Sequence, residues 1–191
     1  QTFSSTAIAV MGICLRLQAF TALPVHGIDN ALIPIAAYNF GAGKCERIEA
    51  SARAALGYSA LMMSVVVLLL ECFPHKVLQL FDASDALMAM GIPALRLMVL
   101  AAMLSIPGMV YGTMFQALGR GDYCMVLTLL RQVILPIGLA LLFAQTGNLT
   151  LIWLAYVLAE LLSIPPALAL MRQVRRRILD NLAPKENEAV V

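Results

Sequence analysis

Asp29 and Glu160 are carboxylates set inside long apolar runs, and Arg16, Arg96 and Arg131 are guanidinium groups set the same way. An ionisable group in a bilayer is expensive, so it persists where it pairs, lines water or handles an ion. Asp29 has two readings: a proton or ion site, or a carboxylate solvated near the end of its helix, ~three turns before Gly41. At ~100° per residue, Ser5, Gly12, Arg16, Ala19, His26, Asn30, Pro34, Ala37 and Gly41 fall near one line. This small-and-polar stripe either packs against another helix or walls a water-filled cavity. In the second case Arg16, His26, Asp29 and Asn30, with Tyr38 and Gln116, are the candidate cavity and substrate residues, and Gln132 and Tyr111 are further neutral polar groups. Pro24 removes a backbone hydrogen bond and Gly27 weakens the next turn, so they form a candidate hinge, with Pro107 a second one. Arg131 and Glu160 fall at similar depth on successive spans, which favours a structural ion pair over an ion-coupling site. Glu71 is a possible partner for Arg96.

Hydrophobic residues make up 61% of the chain and charged residues 13%, where a soluble domain is about half apolar and a quarter charged. Several runs reach the ~20 apolar residues that cross a bilayer. The expected fold is all-α, a polytopic transmembrane bundle over residues 1–171, with spans at about 3–40, 49–73, 85–118, 123–144 and 149–171. A bend is expected near Pro24 and a kink near Pro93 and Pro107. Gly41 and Gly43 close the first span, and Ser84 and Asp85 are cap types before the third. Residues 172–191 read as a basic cytoplasmic tail, disordered over Pro184–Glu188. Trp153 is expected in an aromatic belt near the outer membrane surface.

The four cysteines lack metal spacing, the two histidines lie far apart in sequence, and no metal or cofactor is expected. Net charge is +2, which points to no nucleic-acid partner. The eleven methionines suit an adaptable binding surface and equally an ordinary membrane core. No H-E-x-x-H, G-x-S-x-G or phosphate-loop motif is present, so an enzyme is not expected.

Orientation comes from the basic residues. Lys44, Arg47, Arg53, Arg120, Arg131, Arg172, Arg175, Arg176, Arg177 and Lys185 fall on one side, ten in all, against Lys76 alone on the other. The ten-residue side is expected to be cytoplasmic, C-terminus included. Five spans then place the N-terminus outside. With no basic leader before Gln1-Thr2-Phe3, helices upstream of this chain are expected.

The run Gly27, Ala31, Pro34, Ile35, Tyr38, Asn39, Gly41, Ala42, Gly43, Lys44, Arg47 resembles the multidrug and toxic compound extrusion (MATE) transporters, where it closes the second helix of the C-terminal six-helix lobe. Gln116-Ala117-Leu118-Gly119-Arg120, and Arg131-Gln132 followed by Leu135-Pro136, agree in family order. The resemblance implies part of an antiporter that exports organic cations and other amphipaths against H+ or Na+ entry. It further implies two lobes that rock, so the partners would be the lipid bilayer, small amphipathic or cationic substrates and the N-terminal lobe. The location would be the plasma (inner, cytoplasmic) membrane. The family's coupling acids lie elsewhere, so the resemblance assigns Asp29 no role. Three alternatives differ in kind: a lipid-linked oligosaccharide flippase of the same superfamily, for whose phosphates only Arg16 and Arg96 are available; a non-transporting packing fragment; and an intramembrane enzyme built on His26 and Asp29.

Overall fold

The computed structural model describes residues 5–81 and 84–179, and every regular element among them is helical. In order these are α1 (Ser5–Gly41), α2 (Cys45–Cys72), the short α3 (Pro74–Gln79), α4 (Asp85–Ala117), α5 (Gly121–Leu129), a π-helical turn (Leu130–Ile134), α6 (Leu135–Ala144), α7 (Leu149–Val174) and a second π-helical turn (Arg175–Leu179). Five stretches are long and apolar enough to span a membrane: Thr6–Gly41, Cys45–Cys72, Asp85–Ala117, Gly121–Ala144 and Leu149–Leu179. The chain folds as an all-α transmembrane bundle. The last span ends later than the sequence suggested. Arg172 is still helical, and the turn beyond it is anchored because the Cys45 thiol donates to the Leu179 carbonyl at 3.0 Å and Arg175 Nε reaches Glu49 at 2.9 Å. Lys185 and the expected disorder over Pro184–Glu188 lie outside the described residues.

α4 is the central helix. It packs against α1, α2, α3, α5 and α7, and it can do so because its buried faces are rich in small residues: Gly91, Ala94, Ala101, Ala102, Ser105, Gly108 and Gly112. In a bilayer, where lipid tails are as apolar as leucine, such close approach is the main source of helix association. Two buried clusters result. One joins Ile48, Val110, Phe115, Leu127, Val174 and Leu179 at the end where the basic loops gather. The other joins Val10, Cys14, Leu95, Met98 and Trp153 at the opposite end. Trp153 is therefore a core residue, 4% exposed, and not the belt residue expected from its position near a span end. α1 faces it with Val10 and Cys14, small enough to admit an indole.

α1, α4 and α7 run through their prolines (Pro24 and Pro34, Pro93 and Pro107, Pro165 and Pro166) without a break in the helix. Glycine closes α1 and α4. Gly43 (φ 68°) and Gly119 (φ 72°) take the left-handed conformation. After each, the next backbone N–H reaches back five residues: Lys44 to the Asn39 carbonyl at 2.9 Å and Arg120 to that of Phe115 at 2.7 Å. The glycine N–H bonds three residues back, to Phe40 and to Gln116. Both ends are thus closed by the same glycine-dependent cap. Of the two glycines in Gly41-Ala42-Gly43, only the second does this work; Gly41 is the last helical residue. Ser84 caps α4, its hydroxyl accepting from the Leu87 N–H.

The fourth span is not uniformly α-helical. Pro136 lacks an N–H, and its ring presses on the carbonyl four residues earlier, that of Gln132. The backbone widens just before it, with the Leu135 N–H bonding five residues back to Leu130. Arg131 sits inside this widened turn.

Candidate functional site

Arg131 is buried, 8% exposed, and lies across α4 where Gly108 leaves room. A Cβ on Gly108 would come within 2.9 Å of Arg131 Cδ and 3.0 Å of Nη1. Nη1 donates to the Ser105 carbonyl at 2.9 Å and stands 3.7 Å from Glu160 Oε2. That second distance is an ion-pair contact beyond hydrogen-bond range, and Glu160 Oε2 has no hydrogen-bond partner. Pro107 lies beside Gly108, so one Pro-Gly step both interrupts the α4 ladder and clears the space for the guanidinium.

Two cavities meet at Arg131. The first, about 300 Å³, is lined by Gln18, Thr21, Gln132, Tyr156 and Glu160 among others. The second, about 240 Å³, is closer to the basic-loop end and is lined by Asp29, Asn30, Thr113, Gln116, Cys124 and Thr128. His26, Met109 and Arg131 line both. The Asp29 side chain is buried, 7% exposed, with Thr113 beside its carboxyl and His26 and Arg131 lining the same cavity. Its Oδ1 has no hydrogen-bond partner. The structure thus places a carboxylate on either side of a single guanidinium, each with one unsatisfied oxygen. A buried polar atom without a partner costs free energy, and here both such atoms belong to cavity-lining residues.

The structure brings His26, Asp29, Asn30 and Gln116 to one cavity and Arg131 and Glu160 to the boundary with the other. Arg16 is exposed and lines neither. Tyr38 is 72% exposed, past the cavities on α1. Pro24 is half-buried, while Gly27 faces open space, with no atom within 4 Å of where a Cβ would stand. Arg96 pairs with Glu71 at 3.3 Å. Thr113, Thr128 and Ser105 were not singled out from the sequence. Each is a common small polar residue, and only the helix packing turns them toward Asp29 and Arg131. The α1 stripe has a definite environment: Gly12, Arg16, Ala19, His26, Asn30, Pro34, Ala37 and Gly41 are all exposed.

Five apolar spans around open cavities that hold buried ionisable side chains define a polytopic membrane protein. The sequence model of the MatE family matches residues 1–142, and the chain belongs to that family. It is 26% identical over 180 residues to the multidrug export protein MepA of Staphylococcus haemolyticus (strain JCSC1435), covering 93% of this chain and 39% of that protein. It is 27% identical over 182 residues to MepA of Staphylococcus aureus (strain NCTC 8325 / PS 47), covering 92% and 39%. The fold matches the crystal structure of a MATE protein in the straight conformation with a TM-score of 0.84, at 23% identity, over 95% of this chain and 40% of that one. The chain therefore spans about two fifths of the length of these relatives.

Proposed function

We propose that the chain is part of the C-terminal lobe of a multidrug efflux antiporter driven by H+ or Na+ entry, residing in the plasma membrane with its basic loops in the cytoplasm. The membrane bundle in this reading occupies residues 1–171, and the last helix continues past it to Leu179 at the cytoplasmic surface. The observation that carries it is the exposed small-polar face of α1, next to a cavity holding a buried carboxylate with an unsatisfied oxygen. Such a face is costly against lipid, and none of the described helices covers it. The missing cover is taken to be the other lobe across a water-filled pathway for amphipathic or cationic substrates. Membership in MatE and the likeness to multidrug export proteins support that choice. His26, Asp29, Asn30 and Gln116 then face the pathway, Arg16 and Tyr38 lie along its rim, and Arg131–Glu160 holds the cavities apart. Pro24, Gly27 and Pro107 are the points where α1 and α4 bend as access alternates. The flippase alternative draws no support, because Arg96 is bound to Glu71 and Arg16 lines neither cavity. The enzyme alternative draws no support from the relatives, which are multidrug export proteins.

The test uses the complete transporter in membrane vesicles, with efflux driven by an imposed H+ or Na+ gradient. Asp29→Asn is expected to lose the gradient-driven component while retaining substrate binding. Asn30→Ala is expected to shift preference among substrates more than overall rate. Pro24→Ala is expected to slow efflux with insertion unchanged. Gradient-driven efflux at the parental rate in Asp29→Asn would remove this carboxylate from the coupling.

A further inference from the structure

Away from those cavities, a crevice of about 200 Å³ opens between α2, α4 and α7 at the basic-loop end of the bundle. Ala52, Leu56, Leu168, Met171 and the Tyr111 ring form its interior. Its mouth carries three guanidinium groups, Arg53, Arg172 and Arg175, and one carboxylate, Glu49. Glu49 is already engaged, with Arg175 Nε at 2.9 Å on one oxygen and Arg53 Nη1 at 3.8 Å on the other. Among the described residues no carboxylate lies within ion-pair distance of Arg172. The mouth therefore keeps an excess of positive charge over an apolar slot. On both walls the order is the same. Leu56 lies one turn deeper than Arg53 on α2, and Leu168 lies one turn deeper than Arg172 on α7, ~5 Å toward the middle of the membrane.

We propose that this crevice binds one anionic phospholipid, its phosphodiester held by Arg53, Arg172 and Arg175 and an acyl chain laid along Leu56, Leu168 and Met171. The planar guanidinium fork matches phosphate oxygens, and basic pockets between spans on the positive side of a membrane protein meet anionic headgroups. A free phosphate would use the arginines and leave the slot unfilled. A zwitterionic lipid would fill the slot and bring its own cation to the arginines. Only an anionic lipid satisfies both halves. This site is independent of the transport reading, since none of its residues lines the two cavities at Arg131.

The test is native mass spectrometry and thermal unfolding of the purified protein with added phosphatidylglycerol, phosphatidylcholine or inorganic phosphate. One phosphatidylglycerol is expected to be retained and to raise the unfolding temperature, with neither effect from phosphatidylcholine or phosphate. Arg172→Gln is expected to weaken retention about fivefold, and the double variant Arg53→Gln/Arg172→Gln by considerably more. Arg47→Gln, which removes an equal charge from the same end outside the crevice, is expected to leave retention unchanged. Leu168→Trp fills the slot without altering charge and is expected to release the lipid. The unfolding temperature without lipid checks that each variant is folded. Equal losses in Arg47→Gln and Arg172→Gln would reduce the site to general surface attraction. Equal retention of phosphatidylcholine, or equal protection by inorganic phosphate, would overturn the anionic-lipid assignment.

Discussion

Arg131 is held from several sides within the bundle. It reaches the Ser105 carbonyl, Glu160 and the neighbourhood of Asp29 from a widened turn, over a glycine. Its hydrogen bond goes to the backbone and its ion pair is loose. The pair is therefore held by burial and packing more than by ideal geometry. Removing one member of a buried pair leaves the other uncompensated, at a cost of about 3–5 kcal/mol. Arg131→Met is expected to cost more than Glu160→Gln, because the first strands two carboxylates and the second strands one guanidinium that keeps Ser105. The double variant is expected to cost less than the two singles together. Unfolding of the four proteins of the cycle in detergent gives these values. Additive losses would show that the two side chains do not act on each other.

At the scale of elements, the π-helical turn at Leu130–Ile134 sets where Arg131 points. An added residue per turn shifts everything before it by ~100° around the helix axis. Pro136→Ala would restore a donor and relieve the clash with Gln132, a change worth about 3 kcal/mol in an ordinary helix interior. Here the gain is expected to be much smaller, because a relaxed α-helix carries Arg131 off Ser105 and Glu160. The coupling between Arg131 and Glu160 is expected to vanish in the Pro136→Ala background. A full gain in stability with that coupling intact would show that the turn does not position the arginine. The π-turn also marks a limit of what the sequence discloses. The spans, their order and the turn glycines follow from hydropathy and from residue types that tolerate left-handed backbone, so they were legible. The meeting of Gly108 with Arg131 was not, since it depends on the crossing of two helices and on a local change of helix type that neither residue announces. Likewise Trp153 and the Arg172–Leu179 segment read as surface by composition. They become core and clasp only because Val10, Cys14, Cys45 and Glu49 come to meet them.

At the scale of the molecule, charge and packing describe the same axis. The loops at 42–44 and 118–120 and the final turn at Arg175–Leu179 gather at one end, joined by the Cys45–Leu179 bond, the Glu49–Arg175 pair and the cluster around Ile48 and Phe115. The ten-to-one count of basic residues changes in one respect. Arg131 is buried between helices and cannot serve as a loop charge, which leaves nine against Lys76. That asymmetry still favours a cytoplasmic position for the basic end, since moving lysine and arginine across the membrane is what the insertion machinery avoids. Thr146 and Arg176 are both exposed and sit in turns at opposite ends of the last span. A cysteine at Thr146, in a protein cleared of its native cysteines, is expected to react with an impermeant maleimide applied to intact cells. A cysteine at Arg176 is expected to react only after permeabilisation. The reverse pattern would invert the bundle, placing the Arg53–Arg172–Arg175 crevice and the caps at Gly43 and Gly119 on the outer surface. The positive-inside assignment would then fall, while the helix packing around α4 would stand unchanged, because it depends on side-chain volume and not on which way the bundle was inserted.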